Sequence, residues 1–250
     1  MKHRAGPRGE AVHSRTPLPR LSLSLLGGFD LRYSDRSVSL PSSAERLVAF
    51  LALHGGSPNR SFVAGTLWPD ASEYRAAGSL RSSLWRVRRV DRPVVESSAT
   101  QLWLSPAVRV DLHELKEIIR KALDGQPELR RNEAARLLAL ADLLPGWYEE
   151  WVLLERERLR QLRLHALECL CERLIEGRRF GLAVEAGMAA VSEEPLRESP
   201  HRVLMRAHLA EGNASEAIRE YRRYRQLLND ELGLNPSPEM EDLLKPLAAR

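Results

Sequence analysis

Two stretches of the C-terminal half, 34 residues apart, carry the same pattern of small and apolar residues. Residues 177–184, Gly-Arg-Arg-Phe-Gly-Leu-Ala-Val, align with residues 211–218, Glu-Gly-Asn-Ala-Ser-Glu-Ala-Ile. In both, a short glycine-containing turn precedes a small residue, Ala183 or Ala217, where two helices must approach closely. A period of about 34 residues is that of tetratricopeptide helix pairs, which bury a shared core and present a surface to partners. The repeat therefore predicts a helical docking module.

The charged residues divide the chain into two unequal halves. Residues 1–110 contain 16 Lys or Arg and 8 Asp or Glu, a balance of +8, whereas residues 111–250 contain 22 and 26, a balance of −4. A basic half attracts polyanions, of which nucleic acid is the most common. The alternative is that coding bias alone makes the composition rich in arginine. The positions of the arginines in the predicted elements distinguish these two explanations. A chain of 250 residues has room for two domains.

The N-terminal half begins with a basic leader rich in proline and glycine, residues 1–20, for which we predict disorder. Apolar and polar residues then alternate at 21–25 and again at 29–40, which is typical of short strands with one buried face. The Ser-x-x-Glu pattern at 42–45 is that of a capping box and predicts the start of a first helix. A second helix is predicted from about Arg60 to Leu67.

The third predicted helix, residues 73–90, has apolar and basic residues on opposite faces. Its apolar stripe, which must pack against the domain, consists of Ala77, Leu80, Leu84 and Val87. The other face has no acidic residue after Glu73, whereas solvated helices usually interleave acids with their arginines. Arginines and small hydroxyls suit the major groove of DNA. We therefore predict DNA-binding residues at Arg75, Ser79, Arg81, Ser82, Trp85, Arg86, Arg88 and Arg89. Gly78, in the middle of this helix, is equally consistent with a close approach to the helix backbone and with a glycine that evolution merely tolerated.

A β-hairpin is predicted at residues 94–104, with a polar turn at its tip. Strands, three helices and a closing hairpin are the order of a winged helix-turn-helix, whose wing reaches the neighbouring groove or backbone. Apolar residues recur with a helical period throughout the second half, at 112–123, 133–144, 149–176, 180–191, 196–210 and 215–231. The predicted protein is mainly α: a winged helix-turn-helix domain of α+β class at 21–107 and an all-α, tetratricopeptide-like domain at 108–250.

Three further features of the second half receive structural interpretations. The charge run at 155–160 is predicted to be a solvated face. Cys169 and Cys171 lie about 200° apart around a helix and cannot share one metal, so we expect buried, reduced thiols. His201 and His208 lie on one helix face with no carboxylate between them in the sequence, and we expect structural or exposed side chains rather than metal ligands.

Several segments of the second half closely resemble the bacterial transcriptional activator domain. The resemblance is carried by 151–152, 155–160, 194–198, 204–207, Gly212, 216–217, Tyr221 and 230–236. The N-terminal half, with Leu67-Trp68 and Leu84-Trp85-Arg86-Val87-Arg88-Arg89, is similar to the winged helix that precedes this domain in Streptomyces antibiotic regulatory proteins, the SARP family. Together these segments cover about residues 21–248, and the C-terminal motif is the more specific part.

The resemblance implies a sequence-specific transcriptional activator that binds repeats in double-stranded promoter DNA and helps to recruit RNA polymerase. Pathway genes such as those of secondary metabolism are the implied targets, and direct repeats imply a possible homodimer on DNA. The basic positions of the family's third helix carry over to Arg75, Arg81, Arg86, Arg88 and Arg89. At Trp85 the sequence departs from relatives that often have a small polar residue there.

Other classes of protein are less compatible with the sequence. It contains no Gly-x-Gly-x-x-Gly, no phosphate loop ending in Gly-Lys-Ser/Thr, no Gly-x-Ser-x-Gly and no His-Glu-x-x-His. We therefore expect no enzyme activity, no catalytic residue, no cofactor and no metal. No apolar run of the sequence, including the one near residues 21–26, is long enough to span a bilayer, so we expect a cytoplasmic protein without membrane partners. The remaining alternative is a protein-interaction regulator whose winged helix no longer binds DNA, which the acid-free arginine face disfavours.

Overall fold

The computed structural model describes residues 21–34, 36–124, 129–139 and 141–248, and the predicted leader at 1–20 lies outside them. The N-terminal half is built from β1 (Leu21–Ser24), β2 (Asp30–Tyr33), β3 (Arg36–Ser37), α1 (Ser42–His54), α2 (Arg60–Leu67), α3 (Glu73–Val87), β4 (Val95–Ser97), β5 (Leu102–Leu104) and β6 (Val108–Val110). The C-terminal half is built from α4 (Asp111–Leu123), α5 (Arg131–Leu138), α6 (Glu150–Glu176), α7 (Phe180–Glu193), α8 (Glu198–Glu211), α9 (Ala214–Leu232), α10 (Pro238–Asp242) and α11 (Lys245–Ala248). The predicted fold class, mainly α with an N-terminal winged helix, is confirmed.

The N-terminal sheet has the strand order β3-β2-β1-β6. Strand β1 pairs antiparallel with β2 and parallel with β6, so that Leu23 has Leu31 on one side and Val110 on the other. All three side chains are buried, as the alternation of leucine and serine predicts for β1. Strand β6 therefore belongs to this sheet although it follows residue 107, where we placed the end of the first domain. That domain boundary stays a prediction.

Three predicted boundaries in the N-terminal half differ from the structure. Pro41, in extended conformation, is the N-cap residue of α1, and no side chain caps the helix, so the capping box predicted at 42–45 is wrong. The carbonyl of Pro41 accepts the backbone N–H groups of Ala44 and Glu45, the third and fourth residues of the helix. Helix α3 ends at Val87, three residues before the predicted end, and β3 is only two residues long.

The two halves of the 34-residue repeat adopt the same backbone conformation at equivalent positions. Arg178 (φ 54°) and Gly212 (φ 91°) are both left-handed, and α7 and α9 each begin two residues later. Ala183 and Ala217 are fully buried, as expected for the crossing points of the hairpins. The left-handed residue of the first hairpin is therefore an arginine and not the adjacent Gly177.

Helices α7 and α8 approach closely because Gly187 has no side chain. A Cβ atom built on Gly187 would lie 3.1 Å from the Cα and Cβ atoms of Leu204. Next to this contact, the thiol of Cys171 donates a hydrogen bond to the carbonyl of Ala183 at 3.2 Å, and burial raises its pKa to about 12. Both cysteines are free thiols, but only Cys171 is buried, whereas Cys169 is half-buried.

The charge run at 155–160 is only partly a solvated face, so that prediction is corrected. The guanidinium of Arg156 donates to the carbonyls of Leu143, Leu144 and Trp147 at 2.9–3.3 Å. These carbonyls belong to the irregular segment before α6, in which the carbonyl of Leu144 also accepts the backbone N–H of Trp147 at 3.1 Å. Lys116 of α4 forms an ion pair with Glu155. The run therefore fastens the start of α6 to the segment before it.

The helix predicted at 133–144 is shorter in the structure, where α5 ends at Leu138. Leu144 has a left-handed backbone (φ 45°) and precedes Pro145, whose ring disfavours a helical residue before it. Instead of continuing a helix, the backbone N–H of Leu144 donates to the carbonyl of Leu25 at 2.8 Å, and Leu143 forms a β-bridge with Leu26. The end of the predicted helix thus pairs with the N-terminal half.

The two halves share one continuous hydrophobic core that includes residues from β1 to α8. At its edge the rings of Phe50 in α1 and Trp151 in α6 meet edge to face, with centroids 5.4 Å apart. The carboxylate of Glu149 lies 2.9 Å from the guanidinium of Arg46, also in α1. Apolar, aromatic and charged contacts therefore all join the first helix of the winged helix to the C-terminal half.

Candidate nucleic-acid interface

Helix α3 is amphipathic, and its buried face is rotated slightly from the predicted one. The fully buried positions are Ala76, Leu80, Ser83, Leu84 and Val87. Ala77, predicted as part of the stripe, is half-buried, and Ala76 takes its place. Packing of this face on α1 and α2 fixes which side of the helix is presented to solvent.

The predicted DNA-binding residues lie on the exposed side of α3. All are exposed except Ser79, which is half-buried beside the loop between α2 and α3. Arg75, Ser82 and Arg86 lie along one line of the helix, at spacings of seven and four residues, and Arg89 follows in the turn after the helix ends. Arg81, Trp85 and Arg88 form a second line beside it. The structure thus brings the candidate residues together on one surface about four helical turns long.

The guanidinium groups of this surface have no carboxylate partners within the described residues. Arg75 donates only to the hydroxyl of Ser72, at 3.3 Å, and Arg88 donates to the hydroxyl of Ser97, at 3.1 Å. Seven described arginines of the C-terminal half, in contrast, form ion pairs with glutamates: Arg120, Arg136, Arg160, Arg163, Arg202, Arg206 and Arg219. Because a hydroxyl does not neutralise charge, the α3 surface remains positively charged and keeps donors available for an anion.

Trp85 is an exposed aromatic side chain in the middle of this surface, with 61% of its area accessible. The guanidinium carbon of Arg89, in the turn after the helix, lies 5.0 Å from the centre of its ring. At this distance the cation and the ring attract each other, and the contact limits the rotamers that Arg89 can adopt. Trp85 therefore positions a charged group that would otherwise move freely.

The hairpin of β4 and β5 lies beside α3 and is fastened at both of its sides. Arg88 holds Ser97, the last residue of β4. On the other side, the carbonyl of Thr100 accepts the backbone N–H of Arg60 at 2.8 Å, and Asn59 bridges to Gln101. At the tip, the hydroxyl of Ser98 accepts the N–H groups of Thr100 and Gln101. The tip carries hydroxyls and no basic residue.

Sequence reasoning missed basic residues from other elements that border the α3 surface. Arg60, at the start of α2, lines a shallow groove together with Arg81. Arg36, in β3, lines a second groove together with Arg89, and Arg46, in α1, lines a third with Arg75. Only the fold brings these residues next to α3, because each lies in a different element. The signal in the sequence was the excess of arginine over acid in the first half.

Gly78 lies between the two lines of arginines, and none of the described residues requires the absence of a side chain at this position. An added Cβ atom would meet only the end of the Arg81 side chain, at an ordinary 3.7 Å. The glycine costs the helix about 1 kcal/mol relative to alanine. It leaves a strip of helix backbone open on the exposed surface.

Other candidate sites in the chain have structural roles. The buried ring of His201 hydrogen bonds through Nδ1 to Glu220 at 2.6 Å and through Nε2 to the carbonyl of Pro195 at 2.8 Å. Burial acts to raise the pKa of Glu220, but the hydrogen bond and charge of His201 outweigh it and lower that pKa. His201 is thus a structural histidine, as predicted. No cluster of metal-binding side chains and no helix able to cross a membrane occurs within the described ranges.

The comparison with known families decides the class of protein. Residues 110–247 match the family described as the bacterial transcriptional activator domain. The chain belongs to this family. The match covers more than half of the chain and confirms the resemblance carried by the C-terminal motif, that of a SARP-type transcriptional activator containing this domain.

Two curated relatives extend the similarity into the N-terminal half. The regulatory protein AfsR of Streptomyces griseus is 27% identical over 258 residues, which cover 95% of this chain and 26% of AfsR. AfsR of Streptomyces coelicolor is 28% identical over 214 residues, which cover 81% of this chain and 21% of AfsR. The chain therefore spans about a quarter of the length of these relatives.

A solved structure has the same arrangement of elements. EmbR of Mycobacterium tuberculosis, determined in complex with a low-affinity phosphopeptide, superposes with a TM-score of 0.73 at 20% sequence identity. The superposition covers 92% of this chain and 65% of the EmbR chain. At this level of identity the likeness establishes a common fold, a winged helix followed by a helical domain.

Proposed function

We propose that this member of the activator family binds double-stranded promoter DNA through α3 and helps to recruit RNA polymerase through its helical half. The observation that carries the proposal is the exposed α3 surface, where five arginines meet no carboxylate within the described residues. Desolvating arginines that are already paired with acids would cost energy, whereas these arginines gain partners when a phosphate backbone approaches.

The residues of the α3 surface have different tasks in this proposal. Arg75 and Arg86 lie on the first line of the helix and contact base edges or nearby phosphates in the major groove. Arg89, held by Trp85, and Arg88, held by Ser97, contact the phosphate backbone. Ser79, Ser82 and Gly78 allow the helix to approach the groove closely, and Arg81 with Arg60 extends the contact along one strand.

The helical half provides the partner surface. Its repeat of helical hairpins is an architecture that presents an extended surface to other proteins, and the family is one of activators. We propose RNA polymerase as the partner, pathway genes such as those of secondary metabolism as the targets, and two protomers side by side on direct repeats. No catalytic residues, cofactor or metal enter the proposed function.

The test is a DNA selection followed by binding measurements on the full chain. A random DNA pool is enriched by the wild-type protein, and the affinity for the selected sites is measured at several salt concentrations. The variant with Arg86→Ala and Arg89→Ala is expected to bind at least about tenfold more weakly, which corresponds to about 1.4 kcal/mol. The slope of log K against log salt should decrease by about one for each phosphate that the variant no longer neutralises.

A matched control is available on α9, far from α3 in the chain. Arg222 and Arg225 are exposed and have no ion pair within the described residues, so their double alanine variant removes the same charge from the activator half. It should bind DNA like the wild type. If the Arg86 and Arg89 variant also binds like the wild type, α3 is not the DNA-binding helix. If the wild type enriches no sequence, the chain is a protein-interaction regulator whose winged helix does not bind DNA.

A further inference from the structure

A groove of about 530 Å³ opens in the activator half between α5 and the hairpin of α6 and α7. Its floor is apolar and is formed by Leu170 and Leu174 of α6, Leu138 and Ala134 of α5, and Leu182 of α7. The groove is distinct from the α3 surface and belongs to none of the contacts that join the two halves. Its volume falls within the range of about 300–1,000 Å³ that is typical of small-molecule sites.

The groove exists because α5 stands away from the hairpin it covers. Within α5, Leu137 alone is fully buried, while Ala134 and Leu138 are half-buried and Ala135 is exposed. Leu182, on the opposite wall, is 39% exposed. Apolar side chains on both walls thus remain accessible to a ligand, and filling the space between them would remove them from water.

The rim of the groove is basic. Arg131 at the start of α5, Arg173 near the end of α6 and Arg179 before α7 all line it, together with one acid, Glu185. A guanidinium group has five N–H donors, so an arginine that already serves a protein partner can still donate to a ligand. Planar, forked donors of this kind match a carboxylate better than a hydroxyl or an amine.

We propose that this groove binds a small amphipathic carboxylate, with its apolar part on the leucine and alanine floor and its carboxylate at the arginine rim. The apolar floor disfavours strongly polar anions such as nucleotides, and the three guanidinium groups disfavour cations. The ligand proposal does not depend on DNA binding by the other half, so each of the two proposals is tested by its own experiment.

The test uses the full chain with decanoate and decan-1-ol as probes, both below the concentrations at which they aggregate. Isothermal titration calorimetry measures the affinity and stoichiometry. Decanoate is expected to bind saturably, one molecule per chain, and at least about tenfold more tightly than the alcohol of the same chain length. Equal affinities would overturn the assignment of a carboxylate ligand, and absence of saturable binding would overturn the site.

Two variants locate the binding within the groove. Ala135→Phe fills the groove from an exposed position of α5 and should weaken decanoate binding at least tenfold, whereas Ala210→Phe, on the exposed side of α8, should have no effect. Arg131→Gln should weaken binding of decanoate at least threefold without changing that of decan-1-ol, and Arg222→Gln should change neither. Wild-type affinity in both Ala135→Phe and Arg131→Gln would show that decanoate binds elsewhere and overturn the proposal.

Discussion

Both carboxylate oxygens of Asp111 accept the backbone N–H of Leu25, at 3.0 and 3.1 Å. The same carboxylate accepts the N–H of Leu26 at 3.1 Å and that of Leu112, in the first turn of α4, at 2.7 Å. These donors lie past the end of β1 and at the start of a helix, where neither the sheet nor the helix supplies an acceptor. One side chain therefore connects the N-terminal sheet to the first helix of the activator half.

Replacement of Asp111 by asparagine should destabilise the whole chain. The amide keeps one acceptor oxygen but loses the charge and the second acceptor, so that part-buried N–H groups are left with weaker partners or none. We expect a loss of about 2 kcal/mol in the free energy of unfolding, measured by urea denaturation. Asp124→Asn removes an exposed ion pair with Arg120, which water and salt screen, and should have a much smaller effect. A smaller effect at Asp111 than at Asp124 would contradict this role.

Trp85→Ala should weaken DNA binding without affecting stability, because most of the ring is exposed and it supports Arg89. The coupling can be measured in a double-mutant cycle with Arg89→Ala. We expect a coupling energy of about 0.5–1 kcal/mol in the affinity for the selected DNA. Tyr148→Ala, which removes an exposed aromatic ring from the activator half, serves as the control. Strictly additive effects of the Trp85 and Arg89 changes would show that the ring does not position the guanidinium on DNA.

Arg178→Gly should stabilise the protein by about 0.5–1 kcal/mol, because glycine adopts a left-handed backbone without the strain that an arginine has there. Gly212→Ala, at the equivalent position of the second hairpin, should destabilise by about 1 kcal/mol. Thermal and urea denaturation of both variants test the pair. A loss of stability in Arg178→Gly would mean that contacts of the arginine side chain outweigh the backbone strain.

The two cysteines should differ in their reaction with iodoacetamide at pH 8. Burial raises the pKa of Cys171 to about 12, so its thiol stays protonated and inaccessible, whereas the half-buried Cys169 reacts first. Mass spectrometry of peptides locates the modification, and addition of urea should expose Cys171. Since the folded-state pKa is raised, the stability from the protonated thiol is complete below the ordinary cysteine pKa and is lost as pH rises towards 12. Equal labelling of both thiols in the native protein would refute the burial of Cys171.

The features that sequence predicted well are those fixed by local periodicity. A 34-residue spacing placed Ala183 and Ala217 at equivalent buried positions because each hairpin repeats the same local geometry. In α3, the alternation of apolar and basic residues predicted the exposed side, with an error of one position at Ala77. In such elements the side chains that determine the structure are neighbours along the chain.

The features that sequence missed depend on partners from distant segments. Strand β6 is a strand because β1 lies beside it, and Leu144 leaves the helical pattern to donate to Leu25. In the sequence, Arg156 belongs to a charge run of the kind that is usually exposed to solvent. In the structure, its guanidinium donates to the carbonyls of Leu143 and Leu144. Around α3, Arg36 and Arg60 join the candidate surface only through the fold. No local pattern encodes these contacts.

The continuous core between the halves limits how freely they can be exchanged. A recombinant protein that joined this activator half to an unrelated winged helix would lack the partners of Trp151, Glu149 and Asp111, which are Phe50, Arg46 and the N–H groups after β1. If the two halves were expressed separately, each would expose to solvent the apolar surface that it contributes to the shared core. The winged helix and the helical half of this chain therefore form one folding unit. Under the proposed function, the DNA sequence that the protein recognises is more readily changed by substitutions on the exposed face of α3 than by replacement of the whole winged helix.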